Sequence, residues 1–335
     1  MVGIKPTVGL TSRSGIIPES INQDTIGSIG KTVRDVAYAL DTIYGVDRRD
    51  SFTLEQRGKA PFGGYAQFMR NKTALQGAVF GLPWRSFWSL GDTHQISQLV
   101  ELLELIQTAG ATIINGTELP HYKTLVSPTG WDWDYGSNRG HPNESEYSYL
   151  KVDFYNNIKT YLAELDNTSM RSLEDLMEYN IRNAGSEGGY PGVHPAFESG
   201  QDGFEAPLVA KGVMDETYWQ ALAYCQRTTR EEGIDAALRY GGRVLDGLLV
   251  PPAVAQSAQI AAQAGYPVIT IPAGINSASG VPYGLALMHS AYEEPTLIKY
   301  ASAIEDLQVP TRKQWKRTQP EWRDFLARNI PVIEK

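Results

Sequence analysis

Residues 77–81, Gly77-Ala78-Val79-Phe80-Gly81, form a short apolar run that predicts a buried β-strand. A stripe of apolar residues at helical spacing follows and closes at Gly110; it consists of Ile96, Leu99, Val100, Leu103 and Ile106. The next run, Ala111-Thr112-Ile113-Ile114, predicts a second strand. A strand, a helix and a strand in this order form a βαβ unit, which joins strands of a parallel sheet. The sequence therefore predicts an α/β fold built on a central sheet.

Further elements are predicted before and after this unit. Thr32 and Asp35 form a T-x-x-D capping pattern at the start of a helix that stops at Gly45. In the last third of the chain, the runs Leu245–Pro251 and Tyr266–Pro272 are apolar on both faces, which is typical of strands inside a covered sheet. A third strand at Tyr283–Met288 and another amphipathic helix complete the predicted elements.

Composition and motifs exclude several classes of protein. The 335 residues carry 30 basic and 38 acidic side chains, a net charge of -8, which argues against a nucleic-acid binder. No run of 18 apolar residues occurs, so we expect no membrane span. The single cysteine, Cys225, excludes an internal disulfide and a cysteine-based zinc cluster. Thr25 stands where a phosphate-binding loop needs glycine. The sequence also has no H-x-H pair for a zinc site and no G-x-S-x-G elbow of an α/β-hydrolase. We therefore expect neither a metal nor a cofactor.

The middle of the chain has a different character. The run Trp131-Asp132-Trp133-Asp134-Tyr135 combines three large aromatic rings with two carboxylates, and His141 follows in the same loop-rich stretch. As a pocket wall these residues would supply flat apolar area and charges that orient a substrate. As an alternative, the aromatic rings pin a long loop to the domain. We take Trp131 to Tyr135 and His141 as candidate substrate-binding residues, within a predicted inserted loop and helix region at 125–205.

The localisation stays open on sequence alone. Met1 leads directly into Val2-Gly3-Ile4-Lys5, with neither the basic segment nor the apolar core of a signal peptide. Four N-x-[ST] sequons occur, at Asn71, Asn115, Asn143 and Asn167. They are compatible with a secretory origin of a longer parent protein, and equally with coincidence in surface loops.

Two distant stretches carry a family resemblance. The N-terminal segment Val2–Pro18, with Asp24, Gly27 and the Thr32–Asp35 helix start, resembles the amidase signature family. Near the other end, Gly265–Gly274 resembles that family's late core strand, and Val281–Leu285 the turn and strand after it. The Trp131–Asp134 run and Ser199–Asp202 are similar to the fungal branch of the family. The resemblance extends from Val2 to about Asp306.

The resemblance implies both a fold and a chemistry. The fold is a mixed central sheet covered by helices on both faces, here one domain over residues 1–335 that lacks the N-terminal part. Members hydrolyse amides with a Ser–cis-Ser–Lys triad, in which the lysine is the base, and backbone N–H groups stabilise the oxyanion. All three residues precede the Gly3–Thr7 stretch in the family, and Lys5 matches a lysine that is not the base. We therefore expect no catalytic triad residue in this chain and no amidase activity from it alone.

Three hypotheses follow for the function. The chain is the C-terminal portion of an amide hydrolase that acts on a small carboxamide or peptide amide. Alternatively, it is a truncated pseudo-amidase reused for ligand binding or for a reaction that needs only a shaped pocket with acid and base groups. As a third hypothesis, it is a subunit that complements a chain carrying the triad. Uncovered sheet edges lead us to expect either a homo-oligomer or such a complementing chain.

Overall fold

A computed structural model describes residues 1–192, 198–276 and 281–312. The strands are β1 Val2–Lys5, β2 Ser28–Gly30, β3 Val79–Leu82, β4 Thr112–Asn115, β5 Arg239–Tyr240, β6 Arg243–Val244, β7 Leu248–Val250, β8 Val268–Ile275 and β9 Pro282–Met288. The helices are α1 Val33–Ile43, α2 Thr93–Thr108, α3 Tyr122–Leu125, α4 Tyr135–Asn138, α5 Glu146–Glu164, α6 Leu173–Arg182, α7 Ala184–Glu187, α8 Asp202–Ala210, α9 Glu216–Thr229, α10 Asp235–Leu238, α11 Ala255–Ala264, α12 Glu294–Leu307 and α13 Val309–Arg312.

Seven of these strands form one mixed sheet in the order β2-β1-β8-β9-β7-β3-β4. The predicted βαβ unit is confirmed, because β3 pairs with β4 in parallel and α2 connects them. Strand β3 is also parallel to β7 on its other side, whereas the pairs from β7 to β2 are antiparallel. Strand β1, in which Val2 and Ile4 are buried, thereby joins a sheet whose last strand along the chain ends at Met288.

Side chains of the central strands alternate between two apolar layers, as the pleat requires. Leu285 and Leu287 of β9 contribute to one layer, together with residues of α1, α2 and α12. Ala286 and Met288 of the same strand contribute to the other layer, together with Ile260 of α11. The expectation of a mixed central sheet with helices on both faces is confirmed.

Local signals in the sequence explain several element boundaries. Thr32 and Asp35 form a reciprocal capping box at the start of α1, as predicted. Helix α9 does not run on into α10, because residues 230–234 form one π-helical turn between them. Strands β1 and β2 were not assigned from the apolar pattern, since they span only four and three residues. Gly27 before β2 is required sterically, because a Cβ there would collide with the carbonyl oxygen of Ile4.

The region predicted as an insertion, residues 125–205, contains helices α4 to α7 and the start of α8; its residues 193–197 lie outside the described ranges. Two small apolar clusters distinct from the two sheet layers form around α5. One packs Tyr149 and Val152 against Ala221 and Leu222 of α9. The other packs Ile158 and its neighbours against α6 and α8. That the region is an insertion stays a prediction. No helix in the described part of the chain has the length and apolar character needed to cross a membrane.

We predict that Leu249→Ala will destabilise the protein strongly. Leu249 lies fully buried in β7, and its carbonyl oxygen accepts a hydrogen bond from the indole Nε1 of Trp88 at 2.9 Å. Truncation leaves a cavity in the larger apolar layer, so the free energy of unfolding should fall by about 2–5 kcal/mol. Urea unfolding monitored by circular dichroism measures this, with Leu105→Ala on the exposed side of α2 as the matched control. Equal midpoints for the two variants would contradict the assignment of Leu249 to the core.

Candidate functional site

A stripe of buried glutamines on α11 positions the loop that carries the predicted site residues. Gln256, Gln259 and Gln263 lie three and four residues apart, which places them on one helix face. All three are almost completely buried. The amide Nε2 of Gln256 donates to the carbonyl oxygen of Ser127 at 2.8 Å, and that of Gln259 donates to the carbonyl oxygen of Asp132 at 3.2 Å. The stripe therefore holds the loop main chain at two points.

Glu146, the first residue of α5, is the buried carboxyl group on which the stripe converges. Its Oε2 accepts hydrogen bonds from Gln259 at 2.6 Å and Gln263 at 2.9 Å, and its Oε1 accepts one from Gln23 at 2.9 Å. Burial raises the pKa of Glu146 to about 7, although the three amide donors act in the opposite sense. Segments more than 100 residues apart in the chain thus meet at one carboxyl group.

Glu146 lines a cavity of about 260 Å³. The residues around it are Lys5, Glu19, Ser20, Gln23, Asp24, Thr25, Trp131, Trp133, Glu146, Leu150 and Ala262. The rings of Trp131 and Trp133 lie 6.1 Å apart at 70°, and Tyr147 packs against Trp133 at 5.8 Å. Trp131 and Trp133 remain 49% and 43% exposed, so both keep indole surface free for a ligand. The cavity therefore combines aromatic surface with titratable groups.

Lys5 brings an amine to the cavity from the end of β1. Its Nζ donates to the carbonyl oxygen of Tyr266 at 2.9 Å and to that of Pro6 at 3.4 Å. Burial lowers the pKa of Lys5 to about 7, and the nearby Glu294 carboxylate acts in the opposite sense. The cavity thus holds a basic and an acidic group that both titrate near neutral pH.

The remaining polar groups come from the segment after β1. Partial removal from water raises the pKa of Glu19, an otherwise exposed residue, and that of the half-buried Asp24. The charge of Asp24 adds to the effect on Glu19. The hydroxyl of Ser20 donates to the Asp153 carboxylate, which also accepts from Tyr218 at 2.8 Å. Ser20 is therefore held in a buried network that reaches across to α9.

The structure separates the predicted site residues into two groups. Trp131 and Trp133 line the cavity, whereas Asp132, Asp134, Tyr135 and His141 are not among its lining residues. The Asp132 carboxylate accepts from the backbone N–H of Asp134 and from Asn138, and Asp134 accepts from Ser145 at 2.8 Å. Both carboxylates thus stabilise the loop through local hydrogen bonds, as short acidic side chains commonly do.

Tyr135 and His141, the other two candidates, also make contacts within the loop. The Tyr135 ring lies under the Arg139 guanidinium at 5.0 Å, and its hydroxyl donates to the carbonyl oxygen of Lys123 at 3.4 Å. His141 is exposed, and its backbone N–H donates to the carbonyl oxygen of Gly136 at 2.8 Å. A substrate-binding role for these two residues stays a prediction.

Sequence reasoning missed Glu146 and the glutamine stripe. Its one available signal was the presence of three glutamines at helical spacing in an otherwise small and apolar segment, residues 255–264. Glutamine seldom lies fully buried, so such a stripe indicates a polar partner inside the protein. No group of side chains suited to bind a metal ion occurs in the described ranges.

A second cleft of about 200 Å³ lies beside Arg13, whose guanidinium is already paired. The Arg13 guanidinium donates to both carboxylate oxygens of Asp50, at 2.7 and 2.8 Å, and stacks on Phe52 at 4.5 Å. Ile16 and Ile17 supply an apolar wall there. Because its guanidinium is already neutralised, we regard this cleft as secondary to the cavity at Glu146.

The architecture is that of structurally characterised amidases. A peptide amidase from Stenotrophomonas maltophilia superposes with a TM-score of 0.71 and 29% sequence identity, over 91% of this chain and 57% of that one. A peptide amidase in complex with the competitive inhibitor chymostatin gives a TM-score of 0.72 and 28% identity, over 92% and 59%. The chain is thus an α/β protein with the fold of the peptide amidases.

Sequence comparison defines the family. The family model described as Amidase matches residues 1–179, more than half of the chain, and the chain belongs to this amidase family. A putative amidase of Schizosaccharomyces pombe is 50% identical over 99% of this chain and 56% of its own length. A probable amidase of Arabidopsis thaliana is 33% identical over 91% of this chain and 52% of its own length. The chain spans about half the length of these curated relatives.

We predict that Glu146→Gln will remove a pH dependence of stability. The pKa of Glu146 is about 7 in the folded protein and 4.5 in the unfolded chain, so the folded state binds more protons between these values. Its contribution to stability is therefore complete below pH 4.5 and is lost as the pH rises through 7. Between pH 5 and pH 8, the free energy of unfolding of the variant should therefore rise by about 2 kcal/mol relative to that of the wild type.

Urea unfolding at both pH values measures this difference. The substitution gives the site an N–H donor for the buried Oε1 atoms of Gln259 and Gln263, which have no hydrogen-bond partner in the described part of the chain. Glu216→Gln, on the exposed side of α9, is the matched control and should follow the wild type. Parallel stability curves for Glu146→Gln and the wild type would show that Glu146 does not titrate near neutral pH.

Proposed function

We propose that this chain forms the substrate-binding part of an enzyme that hydrolyses the C–N bond of a small carboxamide or peptide amide. The observation that carries the proposal is the cavity between Trp131, Trp133 and Glu146, in a chain that belongs to the amidase family. The relatives of similar sequence are named amidases, and two solved structures of similar fold are peptide amidases.

The cavity supplies binding and orientation rather than bond cleavage. Trp131 and Trp133 present flat apolar surface that suits the planar amide and an adjoining apolar group of a substrate. Gln23 and Ser20 at the wall donate to Glu146, Tyr149 and Asp153, so their oxygen atoms are available to accept a hydrogen bond from an amide N–H. Because the glutamine stripe and Glu146 fix the surrounding main chain, little ordering would be needed when a substrate enters.

We further propose that the 335-residue chain by itself does not hydrolyse amides. Hydrolysis through an acyl-enzyme needs an activated nucleophile and donors for the oxyanion. Lys5 directs its Nζ at main-chain carbonyl oxygens, and the Ser20 hydroxyl is bound to Asp153. These contacts support a role for both residues in the cavity wall, and the Ser–cis-Ser–Lys triad that the family resemblance implies would have to come from polypeptide outside this sequence.

The purified chain should therefore release no ammonia from benzamide or phenylalaninamide above the rate of a mock preparation. Coupled detection of ammonia through glutamate dehydrogenase provides the measurement, and circular dichroism confirms folding. Ser20→Ala and Lys5→Met serve as comparison variants. Turnover that co-purifies with the chain through two columns and disappears in either variant would contradict the proposal, because a nucleophile or base would then lie within these residues.

A second candidate function rests on the pair Lys5 and Glu146. Both groups line one cavity, and both have pKa values of about 7. General acids and bases work best at neutral pH when their pKa values lie in this range. A pseudo-amidase could use this pair for ligand binding or for proton transfer without cleaving an amide. Ligand-dependent proton uptake or release without ammonia production would favour this candidate over the hydrolase.

We also propose that the chain associates through its sheet edge with a second copy or with a complementing chain. Among the strands that the structure describes, the outer strand β2 has only β1 as a neighbour, and its Ile29 is 75% exposed. An apolar edge strand with unpaired backbone groups readily adds another strand.

Size-exclusion chromatography with light scattering tests this association. We expect a mass of at least twice 37.0 kDa for the chain alone, or a mixed complex when the complementing polypeptide is co-expressed. Ile29→Lys should weaken the association, and Ile43→Lys on the exposed side of α1 is the control. A monomer of 37.0 kDa under both conditions would contradict the proposal.

A further inference from the structure

More acidic than basic side chains line the cavity. Among the described residues around it, Glu19, Asp24 and Glu146 carry carboxyl groups, and Lys5 is the one cationic side chain. The Lys5 ammonium is bound to main-chain carbonyl oxygens, and its pKa of about 7 leaves it mostly neutral at pH 8. Above neutral pH the cavity therefore holds an excess of negative charge.

Burial is the main cause of the raised pKa values of these three carboxyl groups, and neighbouring carboxylates add to it. Asp24 contributes to the raised pKa of Glu19, Glu19 contributes to that of Glu146, and Asp153 contributes to that of Asp24. Arg13 acts on Asp24 in the opposite sense, but its guanidinium is bound to Asp50. Repulsion of this kind is relieved when a cation enters the site.

The two indole rings at the cavity add a second attraction for a cation. Trp131 and Trp133 are both close to half exposed and lie 6.1 Å apart in an edge arrangement. Tryptophan has the ring that binds cations best, and the attraction grows when the cation loses part of its water. Aromatic rings and carboxylates around the same cavity therefore favour a positively charged ligand.

We propose that the cavity selects amides that bear a positively charged group, with Trp131 and Trp133 contacting the cation and Glu19 and Asp24 as its counter-ions. This inference rests on the proposed function and specifies the substrate class of the same site. Amides of basic amino acids and amides with a free amino group belong to this class. Neutral amides would bind with lower affinity, and anionic ones with the lowest affinity.

Three probes of matched size test the selection on the 335-residue chain: 4-(aminomethyl)benzamide, 4-(hydroxymethyl)benzamide and 4-carbamoylbenzoate. Isothermal titration calorimetry at pH 8 should give a dissociation constant for the cationic probe about tenfold below that of the neutral one. The anionic probe should bind most weakly. The preference should shrink when salt is raised from 20 to 500 mM, because screening weakens the contribution of the carboxylates.

Variants locate the selection in the cavity. Glu19→Gln and Trp131→Leu should each lower the preference for the cationic probe at least threefold. Glu216→Gln and Trp219→Leu, at exposed positions of α9, should leave it unchanged. Equal affinity for the cationic and neutral probes would overturn the inference on substrate charge and leave the amide-binding proposal standing. No binding of any probe at millimolar concentration would overturn both.

Discussion

The hydrogen bonds between the buried Glu146 carboxyl group and the glutamines around it are the constraint on which the site depends. A carboxyl group removed from water must be fully hydrogen-bonded or it costs several kcal/mol, roughly the margin by which a domain is stable. Glu146 meets this requirement with amides from α11 and from the segment after β1. Helix α5, helix α11 and the N-terminal segment must therefore be correctly placed together, and the cavity forms where they meet.

The mixed sheet supplies the rigid platform for this arrangement. Helix α11 packs on one apolar layer through Ile260 and Ala264, while Gln256 and Gln259 bond the main chain of the loop that carries Trp131 and Trp133. The loop is thus fixed by a helix that is itself fixed by the sheet. Functional loops on rigid scaffolds are the usual arrangement in enzymes, because the scaffold supplies precision and the loop supplies chemical variety.

Apolar periodicity was sufficient to predict strands β3, β4, β7, β8 and β9 but not the short strands β1 and β2. Local chemistry was sufficient for the helix start at Thr32. The apolar runs of the βαβ unit and of β9 can be recognised within each segment, without knowledge of what the segment packs against. The site was less predictable, because Glu146 and Gln259 acquire their roles only when α5 and α11 meet. Asp132 and Asp134 accept hydrogen bonds from nearby backbone and side-chain donors, which the sequence alone does not reveal, and their role in ligand binding stays a prediction.

The central claim is that the aromatic wall beside Glu146 is the ligand-binding site of this amidase-family chain. Indole N–H signals in a ¹H–¹⁵N NMR spectrum report on each of the seven tryptophans separately. Titration with 4-(aminomethyl)benzamide should shift the signals of Trp131 and Trp133, assigned by single substitutions, and leave the buried Trp88 unchanged. Shifts confined to other tryptophans, or none at saturating probe, would contradict the account.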